Sequence, residues 1–366
     1  MTEESPTEVP EPTDAGLPAI DLRQVLVLND DTGMLQHSAY GVPDLQHGYC
    51  TDDNARSLIA AVYAAKLGDD SLQLALQRNL AFLHYAFNPA TGRFRNFMGY
   101  DRRWLEETGS EDSHGRAVWG LGAAVRHAPS DSTREMAARL LRQAAPATEG
   151  FTSIRAWAFA VIGIEAYLGV FPDDALAVGV RDTLAVRLFE FWQRNAEPSA
   201  HWPWWEDVVT YANAKLPHAL AVSGAAMGRN DMLDTGLSTL RWLVDIQTAD
   251  EGHMSFIGNQ GWLTREGQRA RFDQQPLEAH GLVHACLAAA SATGDDVWAR
   301  DAERAFGWFT GRNDLGLSLY NPDSGGCYDG LMKGGVNRNE GAESTLAYVL
   351  ALLELHLRRG PKSSTG

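Results

Sequence analysis

Residues 48–58, GYCTDDNARSL, place two adjacent aspartates, an asparagine and an arginine at the start of a segment that then becomes apolar. Helix capping explains part of this pattern, because Thr51 or Asp52 is a natural N-cap and Asp53 suits the positive end of a helix dipole. A functional interpretation requires that other helices of the chain begin in a similar way.

Four later helix starts combine carboxylates with tryptophan, histidine, arginine or asparagine. Their polar and aromatic residues are Glu111, Asp112, His114, Arg116, Trp202, Trp204, Trp205, Glu206, Asp207, Tyr211, Asn213, Asp273, Gln275, Glu278, His280, Asn337, Glu340 and Glu343. Capping accounts for any single one of them, as for Glu278 beside Pro276. Capping alone does not require the neighbouring aromatic and cationic residues, so we predict that these helix starts form one site.

Hydrolysis of a glycosidic bond needs this combination of residues: two carboxyl groups, hydrogen-bonding side chains for hydroxyls, and aromatic platforms. Carboxylates on different helices can lie roughly 6.5–9.5 Å apart, which favours inversion. The catalytic candidates are Asp53, Asp112, Glu206, Asp207, Asp273 and Glu343. We predict that Asp53 and Glu343 are the catalytic pair, because they lie at the starts of the first and last inner helices of the closed ring of helices that the periodicity described below predicts. Asp112 is the leading substitute for a member of this pair.

The remaining candidates are predicted to bind the sugar. Two segments without helix periodicity, residues 30–50 and 88–116, are predicted to wall the pocket, and the tryptophans to stack on sugar rings. The predicted substrate-binding residues are His37, Asp52, Asn54, Arg56, Tyr100, Asp101, Trp104, His114, Arg116, Trp202, Trp204, Trp205, Glu206, Gln275, Glu278, His280 and Asn337.

Helical periodicity dominates the chain after Asp52. The predicted helices are 52–67, 70–87, 112–127, 131–145, 152–169, 173–195, 208–227, 229–247, 275–292, 296–311 and 341–359. They form pairs that recur about every 58 residues. The first helices of the pairs are rich in small residues, as inner helices packed on both sides should be. We predict an all-α (α/α)6 toroid with the odd-numbered helices inside, closed by a short helix at 18–28 or lacking its last outer helix. An open α-solenoid is the alternative.

Composition narrows the class of partner. The 366 residues are 45% hydrophobic and carry a formal charge of −16. This negative charge opposes binding to nucleic acid or anionic membranes, so the expected partner is a neutral carbohydrate. No signal sequence or membrane span is evident, and Cys50, Cys286 and Cys327 form no CxxC pair. We therefore expect a cytoplasmic protein with an acidic tail at 1–17, one catalytic domain at 18–360 and a second tail at 361–366.

Four segments, DDTGMLQHSAYGVPD, GYCTDDNAR, EDSHGRAVWGLG and NEGAEST, resemble those of the six-hairpin glycosidase-like proteins of bacteria. Some of those proteins occur beside or fused to glycosyltransferases. The resemblance extends from about residue 20 onward and implies an (α/α)6 carbohydrate-active enzyme. The positions that match recurrent motif residues are Asp52, Asp53, Asp112, His114, Arg116 and Glu343.

The same residues are compatible with other functions. A sugar 2-epimerase of the N-acylglucosamine or cellobiose type would transfer protons with histidines such as His114, His280, His218 or His284. A glycoside phosphorylase would hold phosphate with Arg56, Arg93 or Arg116, and a non-catalytic protein would only bind sugar. No cofactor is expected. A metal site from His37, His47, Asp52 or His114 has no HxxxH or HExxH spacing to support it, so no metal ligand is assigned.

Overall fold

Two concentric rings of helices make up the computed structural model, which describes residues 16–360. The helices in this range are α1 (Arg23–Leu28), α2 (Thr51–Lys66), α3 (Gln73–Ala86), α4 (Glu111–His127), α5 (Asp131–Ala144), α6 (Ile154–Leu168), α7 (Ala175–Asn195), α8 (Lys215–Met227), α9 (Asn230–Ile246), α10 (Pro276–Thr293), α11 (Asp296–Gly307) and α12 (Ala342–Arg359).

The inner ring consists of α2, α4, α6, α8, α10 and α12, each packed against the next, and it closes because α12 also packs against α2. The outer helices α3, α5, α7, α9 and α11 each pack on the inner helix that precedes them, and the short α1 packs on α12. The predicted (α/α)6 toroid is therefore confirmed, and α1 supplies the sixth outer position. A closed ring excludes the open solenoid.

Small residues set the spacing of the inner helices. The backbones of α4 and α6 approach so closely that a Cβ added to Gly122 would lie 1.9 Å from the carbonyl oxygen of Gly163. No side chain fits there. The glycine and alanine content that identified inner helices in the sequence thus has a direct packing cause.

Short strands shape the loops between helix pairs. Those in residues 16–360 are β1 (Ser38–Ala39), β2 (Val42–Pro43), β3 (Tyr49–Cys50), β4 (Phe87–Asn88), β5 (Arg93–Phe94), β6 (Phe97–Met98), β7 (Val208–Val209), β8 (Leu263–Thr264), β9 (Tyr320–Asn321), β10 (Gly326–Cys327), β11 (Gly330–Met332) and β12 (Gly335–Asn337). They pair antiparallel in twos, and β3 with β6 ties the loop before α2 to the loop before α4.

Two sequence predictions about helix starts are wrong. Neither Thr51 nor Asp52 caps α2; the N-cap is Cys50, whose Sγ accepts a hydrogen bond from the Asp53 amide at 3.4 Å. Helix α8 begins at Lys215 rather than near residue 208, because residues 208–209 pair as a strand with residues 263–264. Asp52 and Asp53 do occupy the first turn of α2, as the helix dipole favours.

The ends of the chain lie mostly outside the described residues. Of the predicted tails, residues 1–15 and 361–366 fall outside them, whereas Leu17 packs against the core. Cys50, Cys286 and Cys327 are buried free thiols. Within residues 16–360 no helix is long and apolar enough to cross a membrane.

Candidate active site

A polar cavity of about 380 Å³ opens where the N-termini of α2, α10 and α12 meet the preceding loops. Its lining combines carboxylates, amides, one guanidinium and one exposed phenylalanine. The lining residues are Gln36, His37, Cys50, Asp52, Asp53, Arg56, Phe97, Gln275, Asp329, Asn337, Gly341, Glu343 and Ser344. Seven of these were predicted site residues, so the structure brings that part of the prediction together.

Arg56 links the two carboxylates that were predicted as the catalytic pair. One terminal nitrogen donates to Asp53 Oδ1 at 2.9 Å, and the other donates to Glu343 Oε2 at 2.8 Å. Arg56 and Asp53 are one helical turn apart on α2, whereas Glu343 reaches them from α12. Closure of the ring therefore creates this contact.

The two carboxylates differ in their surroundings. Burial raises the pKa of Asp53 to about 6, against the opposing charge of Arg56, and its residue exposure is only 5%. Glu343 has a side chain that is 45% exposed. Partial loss of hydration acts to raise its pKa, but the charges of Arg56 and Arg116 outweigh this effect and lower the pKa. Asp53 therefore keeps its proton up to a higher pH than an ordinary aspartate, whereas Glu343 loses its proton at a lower pH than an ordinary glutamate.

Cys50 and Arg116 each bind one of the two adjacent aspartates. Burial raises the pKa of the Cys50 thiol, which donates to Asp53 Oδ2 at 3.0 Å. Arg116 donates to Asp52 Oδ2 at 3.2 Å and lies over the Phe159 ring. Asp52 Oδ1 is buried and accepts no hydrogen bond from residues 16–360. A buried acceptor without a donor is costly, and a sugar hydroxyl would satisfy it.

Two loops carry lining residues to the cavity. Asn54 is fully buried; it accepts a hydrogen bond from the Met34 amide at 2.9 Å and donates to the Cys50 carbonyl at 2.8 Å. It therefore anchors the loop that carries Gln36 and His37. Asp329 accepts hydrogen bonds from the Gly341 amide at 3.0 Å and the Ser344 hydroxyl at 2.7 Å.

Cys50 and Phe97 belong to the two segments that were predicted to wall the pocket, although neither residue was singled out, and Asp329 and Ser344 were missed. Asp329 lies in a loop whose path to the cavity depends on the pairing of β11 with β12. The signal that could have found Cys50 is its place one residue before the TDD sequence, at the N-cap of α2. Phe97 and Ser344 carry no distinguishing sequence signal.

A second polar network begins at Asp112. Asp112 accepts hydrogen bonds from the Ser153 hydroxyl at 2.6 Å and the Tyr211 hydroxyl at 2.7 Å. Arg155 lies over the Tyr211 ring and binds both oxygens of Glu206, at 3.0 and 2.8 Å. Burial, followed by the charge of Asp112, raises the pKa of Tyr211 to about 12. Asp112 and Glu206 are thus held in place by partners of the chain and do not line the cavity.

Other predicted residues lie elsewhere. Asp207 pairs with Arg265 and its side chain is 86% exposed, whereas Asp273 accepts a hydrogen bond from Gln260 at 3.0 Å. Tyr100 and Asp101 are exposed, and Trp104 is half-buried against Phe82 and Tyr85.

Glu278 accepts hydrogen bonds from the backbone amides of Ala212 and Asn213. Those bonds hold the loop before α8.

The predicted histidines of the helix starts are buried. His114 Nδ1 accepts from the Phe94 amide at 3.3 Å, and Nε2 donates to the Ala144 carbonyl at 3.0 Å. Burial lowers the pKa of His114 to about 3. His280 is 1% exposed, and its Nε2 lies 3.3 Å from Glu354 Oε1.

The three tryptophans that were expected to stack on sugar are packed in the core instead. Trp202, Trp204 and Trp205 are 5%, 0% and 0% exposed. The indole of Trp205 donates to the Leu188 carbonyl at 2.9 Å, and Trp202 and Trp204 both pack on Trp242. Phe97, which is 42% exposed, is the aromatic ring in the lining of the described cavity.

Trp205→Ala is expected to destabilise the protein by about 3–5 kcal/mol, the usual cost of truncating a buried aromatic side chain. Urea unfolding followed by circular dichroism measures this change. Phe97→Ala is the matched control: it should alter the free energy of unfolding by less than about 0.5 kcal/mol and weaken sugar binding. Equal stability of Trp205→Ala and wild type would contradict the assignment of Trp205 to the core.

No family model matches the sequence, and no curated protein matches it. The fold, however, is similar to that of solved structures. A sugar epimerase from a ruminal bacterium matches with a TM-score of 0.70 and 11% identity over 93% of this chain and 95% of that chain. A cellobiose 2-epimerase from Bacillus thermoamylovorans also gives a TM-score of 0.70, with 14% identity over 92% of this chain and 96% of that chain.

Glycosidases are among the similar structures as well. The GH76 α-mannanase of Bacteroides thetaiotaomicron matches with a TM-score of 0.63 and 10% identity over 92% of this chain and 94% of that chain. At these identities the likeness shows the fold alone. Epimerases and glycosidases share this (α/α)6 toroid, and the chemistry must be argued from the cavity itself.

Proposed function

We propose that this protein is a glycoside hydrolase in which Asp53 is the general acid and Glu343 the general base. The observation that carries the proposal is the pair of carboxyl groups on Arg56, one with a raised and one with a lowered pKa. Two carboxyl groups whose pKa values are pushed apart are the usual arrangement for acid and base roles in glycoside hydrolysis.

The roles follow from burial and bonding. Asp53 is buried and retains a proton closer to neutral pH, so it can protonate the leaving oxygen of the glycosidic bond. Glu343 is ionised and partly exposed, so it can deprotonate a water that enters from solvent. We therefore propose inversion at the anomeric carbon.

The charge of the cavity favours water over phosphate as the second reactant. Asp52, Asp53, Asp329 and Glu343 contribute carboxyl groups to the lining. Arg56 is already bound to two of them, and Arg116 is bound to Asp52. A phosphate dianion would meet an excess of negative charge, so phosphorolysis has less support.

This cavity does not supply a pair of histidines for epimerisation. Of the residues that line this cavity, His37 is the histidine. His114 has both ring nitrogens bonded to the backbone, and His280 is directed to Glu354. A merely sugar-binding protein would have no need for two carboxyl groups with opposed pKa shifts.

The test is a panel of oligosaccharides incubated with the full chain and followed by proton NMR from the first minutes. Hydrolysis creates a new reducing end, and inversion makes the first anomer opposite to that of the cleaved bond. Deuterium from the solvent on a sugar carbon, with no change in chain length, would indicate epimerisation and overturn the proposal. A sugar phosphate formed only with added phosphate would do the same.

The value of kcat/KM is expected to fall as pH rises through about 6, because Asp53 must be protonated and its pKa is about 6. On the acid side it should fall only below the ordinary range of a glutamate, because the pKa of Glu343 is lowered. A pH–rate profile measures both limbs.

Glu278 provides the control for this profile, since burial raises its pKa to about 6 as well while it lies away from the cavity. Glu278→Gln should keep the alkaline limb. Loss of that limb in Glu278→Gln, or a rate that stays constant up to pH 8 in the wild type, would exclude Asp53 as the acid.

A further inference from the structure

The axis of the barrel carries a second polar cluster that the proposed hydrolysis does not use. It consists of Lys215 on α8, His280 and His284 on α10, and Glu354 on α12. Trp119 of α4 flanks it: the indole stacks on both imidazoles, and the Lys215 Nζ lies 4.2 Å from the ring centroid. A cluster of titratable side chains in a helical core indicates that these side chains have a function.

The spacing of the cluster suits a metal ion. His280 Nε2 lies 3.3 Å and His284 Nδ1 lies 3.9 Å from Glu354 Oε1, and one ligand atom from each residue lies within 4.8 Å of the others. Around a tetrahedral zinc ion with bonds of about 2.0–2.1 Å, neighbouring ligand atoms are about 3.4 Å apart. The HxxxH spacing puts both imidazoles on one face of α10.

An unpartnered buried atom independently indicates a missing ligand. Glu354 is 7% exposed, and its Oε2 accepts no hydrogen bond from the part of the chain that the structure describes. His218, which is 3% exposed and packs edge-on against His284, has an unpartnered Nδ1. Leaving a carboxylate oxygen buried without a partner is costly, and a cation would remove that cost.

The cluster can be reached from the end of the barrel opposite the first cavity. A cavity of about 440 Å³ there is lined by His284 and Glu354, together with Tyr63, Lys66 and His127. Lys66 and His127 belong to the last turns of α2 and α4. An ion therefore has an entry path that does not pass the proposed catalytic carboxylates.

We propose that His280, His284 and Glu354 bind a divalent transition metal ion of the zinc type, and that Lys215 competes with the ion for His284. Two imidazoles and a carboxylate are a common ligand set for zinc. Lys215 Nζ lies 2.7 Å from His284 Nδ1, so the ion must displace this contact, and Lys215 then keeps only the indole face. The proposal is independent of glycoside hydrolysis.

Titration of the full chain with Co²⁺, followed by displacement with Zn²⁺, tests this site. Wild type should bind one Co²⁺ with the visible absorption of a four-coordinate ion. Glu354→Gln, which preserves shape, should weaken binding by at least about 100-fold, since a ligand is lost. Lys215→Met should bind the ion more tightly than wild type because the competing amine is gone.

His47→Gln is the matched control, because His37 and His47 form another close histidine pair, at the surface, with ring centroids 4.6 Å apart. Binding should be unchanged in this variant. The proposal is overturned if wild type takes up no Co²⁺, if His47→Gln abolishes binding, or if Glu354→Gln binds as wild type does. Should Glu354→Gln fail to fold, unchanged or weaker binding by folded Lys215→Met would overturn it as well.

Discussion

Asp53→Asn is expected to lower kcat on a glycoside substrate by about 10²–10⁴-fold, the usual contribution of a general acid. The amide retains the size of the side chain and an oxygen that can accept from Arg56, but it cannot protonate a leaving group. The ratio of the kcat values of wild type and variant on the same substrate, measured with equal amounts of folded protein, gives this factor directly.

The same substitution is expected to raise the stability at pH 7. The pKa of Asp53 is raised in the folded protein, so its favourable contribution is complete below the unfolded pKa near 4 and is lost as pH rises through about 6. At pH 7 the buried charge costs on the order of 2–3 kcal/mol. The uncharged amide of the variant removes this cost, while Arg56 keeps Glu343 as its counter-charge, so a thermal melt at pH 7 should show a higher Tm together with the lost activity.

Two neighbouring substitutions sharpen the assignment. Glu343→Gln should also reduce kcat strongly, because the water then has no base. Asp52→Asn is the matched control beside Asp53: it should chiefly raise KM, because Asp52 is proposed to bind a hydroxyl. If Asp52→Asn abolished turnover while Asp53→Asn retained it, the acid role would pass from Asp53 to Asp52.

The toroid was predictable from sequence because its causes are local and repeated. The close approach at Gly122 and Gly163 needs glycine, and the sequence shows many small residues along inner helices such as α4, α8 and α10. The proximity of Asp53 and Glu343, which both bind Arg56, was predictable for a related reason. Once a ring is assumed, its first and last inner helices must be neighbours, although 290 residues separate these two positions in the sequence.

The tryptophans could not be placed from sequence. Trp202, Trp204 and Trp205 stand among polar residues, a pattern typical of exposed sugar platforms. In the structure the indole of Trp202 donates to the Glu206 carbonyl at 2.8 Å, which satisfies its polar atom without exposing the ring. A hydrogen-bonded indole can be buried at little cost, so polar neighbours did not indicate exposure.

The start of α8 was missed because its cause is distant in sequence. Glu278 holds the backbone amides of Ala212 and Asn213, and Ala212 has a φ of 49°, which a helix cannot contain. Nothing near residue 212 in the sequence reports that contact. The partners of Asp112 were hidden for the same reason, since Tyr211 belongs to this irregular segment.

Arg56→Met is expected to reduce both stability and activity. Arg56 is 4% exposed and binds Asp53 and Glu343, so its loss leaves carboxylates in the cavity without their shared counter-charge. Removing one partner of a buried ion pair costs about 3–5 kcal/mol. The charge of Arg56 is also what keeps the pKa of Glu343 low, so the base should become protonated at higher pH and the acid limb of the rate profile should move upward.

Arg181→Met on the outer helix α7 is the matched control for the upward shift of the acid limb. Arg181 is also buried and binds two carboxylates, Glu165 and Asp182, but it lies outside the cavity lining. The Arg181→Met variant should be less stable than wild type, but its pH–rate profile should not shift. Because Arg56→Lys keeps the charge but not the two-pronged geometry, it should shift the acid limb less than Arg56→Met. An unshifted acid limb in folded Arg56→Met would mean that Glu343 is not the base, whatever the loss of stability.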